Sequence, residues 1–451
     1  MAETRAPGGE MGSGGAHVAE PLGARIRRLR LAAGLTQTEL AGGRFSKEYI
    51  SQIERGKTRP RAETLAWIAD RLGVDAALLA TGVSAAERER LEAQLARVEA
   101  LSEQRRHEEA AAACAALRTE VARIEAPDLA LRALLAEGWA RLQLGEVKAA
   151  LALLQEAREL AEDARFSDLD RADVLYRLGV CRYHLSSTAT ALALLDEALA
   201  LADRSPLPSD LLRVSILSWR SRCYRRQRDF QAAREDVERA LELAQRLSDR
   251  RAMAGVYFQA SLVAEREGHW VLARTYAEKA KAYYEELAER ENLGRLLNNL
   301  GGLSYLLGKP EEAIVYLKDA LRILLDEGGE DVEVAHVLCS LAEVQLGVGR
   351  PAEAEAQARK ALELLADRVD YMSEIGTAQL VLGRALLEQD RLDEAQGILA
   401  AADRSFEQLS SVSHRAAAWV ALGDVAARRG DDREAARLYR RAAEALQDFR
   451  F

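Results

Sequence analysis

From about residue 87 to its end, this 451-residue chain repeats with a period of 40 to 42 residues, and that period leaves few folds open. A small residue recurs at Gly138, Gly179, Ser221, Ser261, Gly301, Ala342, Gly383 and Gly423. Twelve residues after each comes an alanine (Ala150, Ala191, Ala233, Ala273, Ala313, Ala354, Ala395, Ala435). Seven further on comes a second (Ala157, Ala198, Ala240, Ala280, Ala320, Ala361, Ala402, Ala442). Small residues at such intervals let two antiparallel helices, and the next pair, approach closely. Gly145, Gly268, Gly308, Gly349 and Gly430 fall where such helices would turn, and a degenerate first copy around Ala110 brings the expected number of hairpins to about nine. A helix from Leu438 to Phe451 is expected to close the stack.

Ahead of the repeats, residues 35 to 60 read as two short helices joined by a turn and followed by a basic loop. Thr36 and Ser46 are placed to cap the two helices, the second running to about Arg55, while Gly56 supplies a left-handed stop and Pro60 prevents continuation. Leu35, Leu40, Ile50 and Ile53 form the packing stripe, which turns Lys47, Glu48, Ser51 and Gln52 outward. These four are the candidate base contacts of a major-groove helix. Gln37, Lys57, Thr58 and Arg59, at a helix start and in the exposed loop, are the candidate phosphate contacts.

Over residues 22 to 83 the chain resembles the Xre/Cro-like helix-turn-helix family. Arg25 to Arg30 resemble its first helix, Gly34 to Gln37 the entry to the second, and Tyr49 to Lys57 the recognition helix and its exit. Thr64 to Leu72 and Asp75 to Leu79 would be helices four and five. The turn Gly42-Gly43-Arg44-Phe45 is one residue shorter than the family's usual turn. The resemblance implies an ion pair between Arg30 and Glu54, a homodimer, and a duplex DNA operator as partner.

Charge is divided in the same way. The whole chain carries −9, yet residues 22 to 83 hold eleven Lys or Arg against six Asp or Glu, or +5, leaving −14 on the rest. A basic reader on an acidic body is the expected organisation. No apolar run reaches membrane-spanning length, and residues 1–21, expected to be disordered, lack a signal-peptide core, so the expected location is cytoplasmic with no membrane partner. Cys114, Cys181, Cys223 and Cys339 have no paired spacing, so they are read as small packing residues, with no metal or cofactor expected.

The repeat, spanning 84–451, resembles the tetratricopeptide repeat with somewhat long helices. The expected fold class is therefore all-α: a five-helix helix-turn-helix domain followed by a right-handed superhelical solenoid of about nine helical hairpins. In that family the positions six and three before, and one and four after, the small marker point into a concave groove. By that resemblance the groove holds Arg132, Tyr176, Tyr183, Arg222, Arg225, Phe258, Arg295, Asn298, Tyr305 and His336, with Trp139, Glu265 and Glu343, and with Gln259, Asn299 and Arg177 on its shoulder. Amides can bond an extended backbone, arginines can hold carboxylates and aromatics can bury apolar side chains, which makes a peptide groove. The later hairpins place Leu380, Leu387, Val420 and Ala427 inward instead.

A reader of this kind joined to such repeats resembles the bacterial receptors for intracellular signalling peptides, the RRNPP group. The resemblance implies a sequence-specific DNA-binding transcription regulator whose repeats bind a signalling peptide or partner. The alternative is a protein-interaction scaffold localised by its DNA-binding domain. No carboxylate pair, nucleophile-base set or phosphate loop stands out of the helical pattern, so an enzyme is not expected.

Overall fold

The computed structural model describes residues 20–122, 124, 126–329, 331–366, 371–409 and 411–447; these are helices and connections with no strand. Most of the expected N-terminal disordered segment, and the last residues of the helix expected to reach Phe451, lie outside the described residues. The chain divides into two compact units, up to Leu207 and from Pro208 on.

The first unit opens with α1 (Leu22–Ala32), α2 (Gln37–Ala41), α3 (Lys47–Glu54), α4 (Ala62–Leu72) and α5 (Ala76–Thr81). Their core is Ile26, Leu40, Ile50, Ile53, Ile68 and Leu79. Three hairpins complete the unit: α6 (Ala85–Glu103) with α7 (His107–Val121), α8 (Pro127–Gln143) with α9 (Val147–Ala161), and α10 (Asp168–His184) with α11 (Thr188–Arg204). Asp75 joins the five-helix bundle to α6, because its carboxylate accepts from the amides of both Ala77 (2.8 Å) and Ala85 (2.7 Å).

The second unit holds six more hairpins: α12 (Asp210–Gln227) with α13 (Phe230–Leu247), α14 (Arg250–Arg266) with α15 (Trp270–Glu286), and α16 (Arg290–Leu306) with α17 (Pro310–Asp326). They continue as α18 (Asp331–Gly347) with α19 (Pro351–Leu364), α20 (Met372–Glu388) with α21 (Leu392–Gln408), and α22 (Val412–Arg428) with α23 (Asp432–Gln447). The described residues thus hold nine hairpins, and within this unit successive first helices touch from α12 to α22.

The repeat markers are explained by one contact. A Cβ on Gly138, Gly179, Gly301 or Gly383 would lie 2.5–3.0 Å from the leucine sixteen residues on: Leu154, Leu195, Leu317 or Leu399. Where the marker carries its own side chain, as Ser221, Ser261 and Ala342 do, the partner is smaller: Val237, Ala277 and Ala358. A larger marker is thus met by a smaller partner, which avoids overpacking where the two helices cross. Both marker alanines of every hairpin from α8/α9 to α22/α23 are buried.

Each hairpin turn contains one residue at positive φ. Five are the glycines expected there, at φ 75° to 81°, but Arg105, Ser186, Arg228 and Asp390 take the same left-handed conformation at φ 56° to 64°. The four thiols are buried, and loss of solvent pushes those of Cys114, Cys181 and Cys339 up to about 12, in keeping with packing residues. No helix among the described residues is long and apolar enough to cross a membrane.

Candidate functional site

Helix α3 is held at its start and along its length. Ser46 Oγ accepts from the Tyr49 amide at 3.1 Å, and Thr36 with Glu39 forms a reciprocal cap on α2. The short turn between the two helices works because Gly42 (φ 55°) and Gly43 (φ 76°) are both left-handed. A Cβ at Gly42 would lie 2.7 Å from the Arg71 guanidinium, which donates to the Glu39 carbonyl at 2.8 Å. Phe45 then stacks edge-on against Trp67, with ring centroids 5.0 Å apart, and sets the entry of α3. With Ile50 and Ile53 in the core, Lys47, Glu48 and Gln52 are exposed on the outer face.

Ser51, expected on that face, is not there. It is 8% exposed, and its hydroxyl accepts from the Arg55 guanidinium, because the α3 stripe turns the position toward the bundle. Gln37, expected at phosphate, instead donates its amide to Glu54 Oε2 at 2.8 Å. Glu54 is the centre of the bundle's polar interior. Its Oε1 accepts from Arg30 Nε at 2.6 Å, Arg30 Nη1 donates to the Leu35 carbonyl at 2.7 Å, and the two side chains are 9% and 3% exposed. Burial works against the Glu54 carboxylate, yet the hydrogen bonds from Arg30 and Gln37, with the charges of Arg30 and Arg27, outweigh it and hold its pKa below the usual range.

After Gly56 (φ 72°), Lys57 and Arg59 are exposed in the loop. Thr58 is half-buried, and its hydroxyl donates to Gln52 Oε1 at 3.1 Å, so it faces the recognition helix as well as solvent. Two basic residues passed over in the sequence flank α3. Arg44 lies exposed over the Phe45 ring at 5.7 Å, and Arg55 is clamped on Ser51. Their places in the turn and at the helix exit were the available signal.

The candidate groove residues fall in both units. In the first, Arg132 is exposed but paired with Glu99 at 2.8 Å, Tyr176 stacks on Trp139 at 6.1 Å with Arg177 on the same indole at 5.2 Å, and Tyr183 meets His184 edge-on at 6.0 Å. In the second, Arg222 lies over Trp219 at 4.3 Å, Arg225 is half-buried one turn later, and Phe258 packs partly into the core.

Three groove expectations change in the second unit. Gln259 is only 4% exposed and belongs to the packing between helices. Asn299 has both ends of its amide taken up, accepting from Ser261 Oγ at 2.9 Å and donating to Glu265 at 2.7 Å. Arg295 is neutralised by Glu291 and Glu333 on either side. By contrast Asn298 Oδ1 is buried with no hydrogen-bond partner among the described residues. The Tyr305 hydroxyl fits against Gly347, where it leaves no room for a Cβ.

Farther along, His336 and Glu343 are open to water yet have protein packed densely around them. Loss of solvent lowers the His336 pKa, against the pull of Glu374, and raises that of Glu343, against Arg384. Chemically, the first helices of the second unit offer an amide oxygen without a donor among the described residues, the rings of Phe258 and Tyr305, and the ionisable His336 and Glu343.

Residues 21–82 match the helix-turn-helix domain family, and 170–246, 252–326, 292–367, 339–410 and 380–448 match tetratricopeptide repeats. Over 61 residues the chain is 43% identical to an uncharacterized HTH-type transcriptional regulator, y4dJ of Sinorhizobium fredii; the match covers 13% of this chain and 79% of that protein. The apo form of the quorum sensor NprR from Bacillus thuringiensis has a similar fold at TM-score 0.59, with 15% identity and 79% of this chain and 99% of that chain covered. A Rap protein complexed with competence and sporulation factor aligns at TM-score 0.54, with 18% identity over 79% of this chain and 99% of that one.

Proposed function

The chain belongs to the helix-turn-helix transcriptional regulators, and on that premise we propose that it binds duplex DNA as a homodimer under the control of a peptide held by its second unit. Lys47, Glu48 and Gln52 read base edges, while Lys57 and Arg59 hold phosphate. One recognition helix spans only a few base pairs, so specificity requires two, on half-sites about one helical turn apart. Lys57→Ala and Arg59→Ala should weaken binding to unrelated duplexes alike, and each should flatten the dependence of log affinity on log salt by about 1. Titrations of two unrelated duplexes at several salt concentrations check this. A loss confined to one sequence would assign these residues to base reading.

The observation that carries the peptide reading is Asn298. A buried amide oxygen without a donor is destabilising by about 1–3 kcal/mol, and a turn of this half-buried side chain would bring the oxygen to the surface, where the N–H of an extended peptide relieves it. The fold is shared with a quorum sensor and with a Rap protein complexed with competence and sporulation factor, which supports a signalling ligand for the repeats. A peptide recovered from the purified protein, identified by mass spectrometry and resynthesised, should bind Asn298→Ala and Arg222→Ala about tenfold more weakly in calorimetry. Full affinity in both variants would move the site elsewhere, and a folded protein recovered in place of a peptide would favour a scaffold.

A further inference from the structure

We infer that Thr58 is a positioning residue that holds Gln52 as a hydrogen-bond donor toward DNA, so that with Glu48 one turn earlier the recognition helix reads a G·C pair. The inference rests on the proposal that α3 enters the major groove.

Free in solvent, a glutamine amide is two-faced: it can donate through Nε2 and accept through Oε1. Paired with adenine it does both, donating to N7 and accepting from N6. Here Gln52 Oε1 already accepts the Thr58 hydroxyl at 3.1 Å. The loop that carries Thr58 is itself anchored to the same residue, because the Lys57 amide donates to the Gln52 carbonyl at 2.9 Å. The clasp therefore uses the main chain and the side chain of Gln52 together. The bond takes one of the two lone pairs of Oε1 and fixes which way the amide faces, so the Nε2 pair of N–H donors, with no partner among the described residues, is the fully open end of an exposed side chain.

Guanine presents two acceptors to the major groove, O6 and N7, whereas adenine presents one acceptor and one donor. A donor head fits the first and leaves the N6 donor of the second without its partner. The cytosine across the pair presents an N4 donor, which wants an acceptor nearby. Glu48 lies four residues before Gln52, one turn along the same exposed face, about 5–6 Å away between Cβ atoms. Its carboxylate has no hydrogen bond or ion pair with another described residue, so it is open to accept from cytosine N4. Donor and acceptor thus stand one turn apart on the same exposed face, matching the acceptors of guanine and the donor of cytosine. The assignment moves Thr58 from phosphate contact to control of base choice.

The test is selection of bound duplexes from a pool with a randomised central region, using the full chain, Gln52→Ala and Thr58→Val. Valine keeps the shape of threonine and removes the hydroxyl, and a thermal melt of each variant checks folding. The base position whose preference disappears in Gln52→Ala is the one Gln52 reads. The parent protein should enrich guanine there, and Thr58→Val should raise adenine at that position by about tenfold relative to guanine while other positions keep their preferences. Adenine enriched there by the parent, or unchanged selection by Thr58→Val, overturns the inference while leaving DNA binding intact. A parent pool with no enriched sequence overturns the DNA reading, and the inference with it.

Discussion

Replacing Glu54 by alanine should destabilise the N-terminal bundle by about 3–5 kcal/mol, a large part of the roughly 5–15 kcal/mol that holds an ordinary domain folded. The substitution strands the Arg30 guanidinium, 9% exposed, against the vacated centre of the bundle, and it removes the acceptor that holds the Gln37 amide. Hydrogen exchange of the α1 and α3 amides reads the loss without interference from the repeats. Protection equal to the parent's would mean that Arg30 finds another partner and that the pair is not structural. Glu54→Gln keeps a hydrogen-bond acceptor and should fall between the two.

The same residue sets an acid limb. Its folded pKa is lowered, so its contribution is fully present above the unfolded carboxylate value of about 4.3 and is lost as pH falls through the lower folded value. Glu54→Gln should flatten that limb.

Adjacent glycines in α16 should respond to alanine with opposite sign. Removing a glycine from a helix interior is favourable by about 1 kcal/mol where space allows. At Gly302 an added Cβ has nothing within 4 Å, so Gly302→Ala should stabilise the second unit by about 0.5–1 kcal/mol. At Gly301 the same atom would lie 2.6 Å from Leu317 Cγ and 3.3 Å from the Ala313 carbonyl, so one helix must move off the other. Overpacking of that kind is destabilising by about 1–3 kcal/mol, more than the propensity gain.

Leu317→Ala alone leaves a cavity that destabilises by about 2–5 kcal/mol. The double variant recreates the Ala342/Ala358 pairing already present in α18 and α19, so it should be less destabilised than the sum of the two by about 1 kcal/mol or more. Urea melts of the three variants decide the matter, and strict additivity would show that the two positions do not touch.

The helices and their approach were legible because the signals that make them are local or strictly periodic. Thr36, Ser46 and Gly56 cap and stop helices through their own neighbours, and the eight markers with their alanines recur at a nearly constant interval. Arg30 with Glu54 was legible through resemblance, and the structure contains the pair at 2.6 Å. The turns were legible only where glycine sits in them. Arg105, Ser186, Arg228 and Asp390 adopt the same left-handed backbone at a local penalty of about 1–2 kcal/mol, imposed by packing of the flanking helices that no local propensity reveals.

By itself, then, the sequence determined the fold class, the reader helix and which positions belong to the first helix of each hairpin. The tertiary structure decided which of the polar side chains there remain available. Asn298 and Asn299 are identical neighbours, yet one amide is taken up by Ser261 and Glu265 while the other keeps a donorless oxygen. Ser51 and Gln52 stand side by side on α3, yet one is buried under Arg55 and the other is clasped by Thr58. The reason is that hydrogen bonds and ion pairs form with whatever donor or acceptor the packing brings near. In the second unit that group often sits 34 to 38 residues away on an adjacent hairpin, as Glu265 does for Asn299 and Glu333 for Arg295, at a distance and angle set only once the helices are stacked.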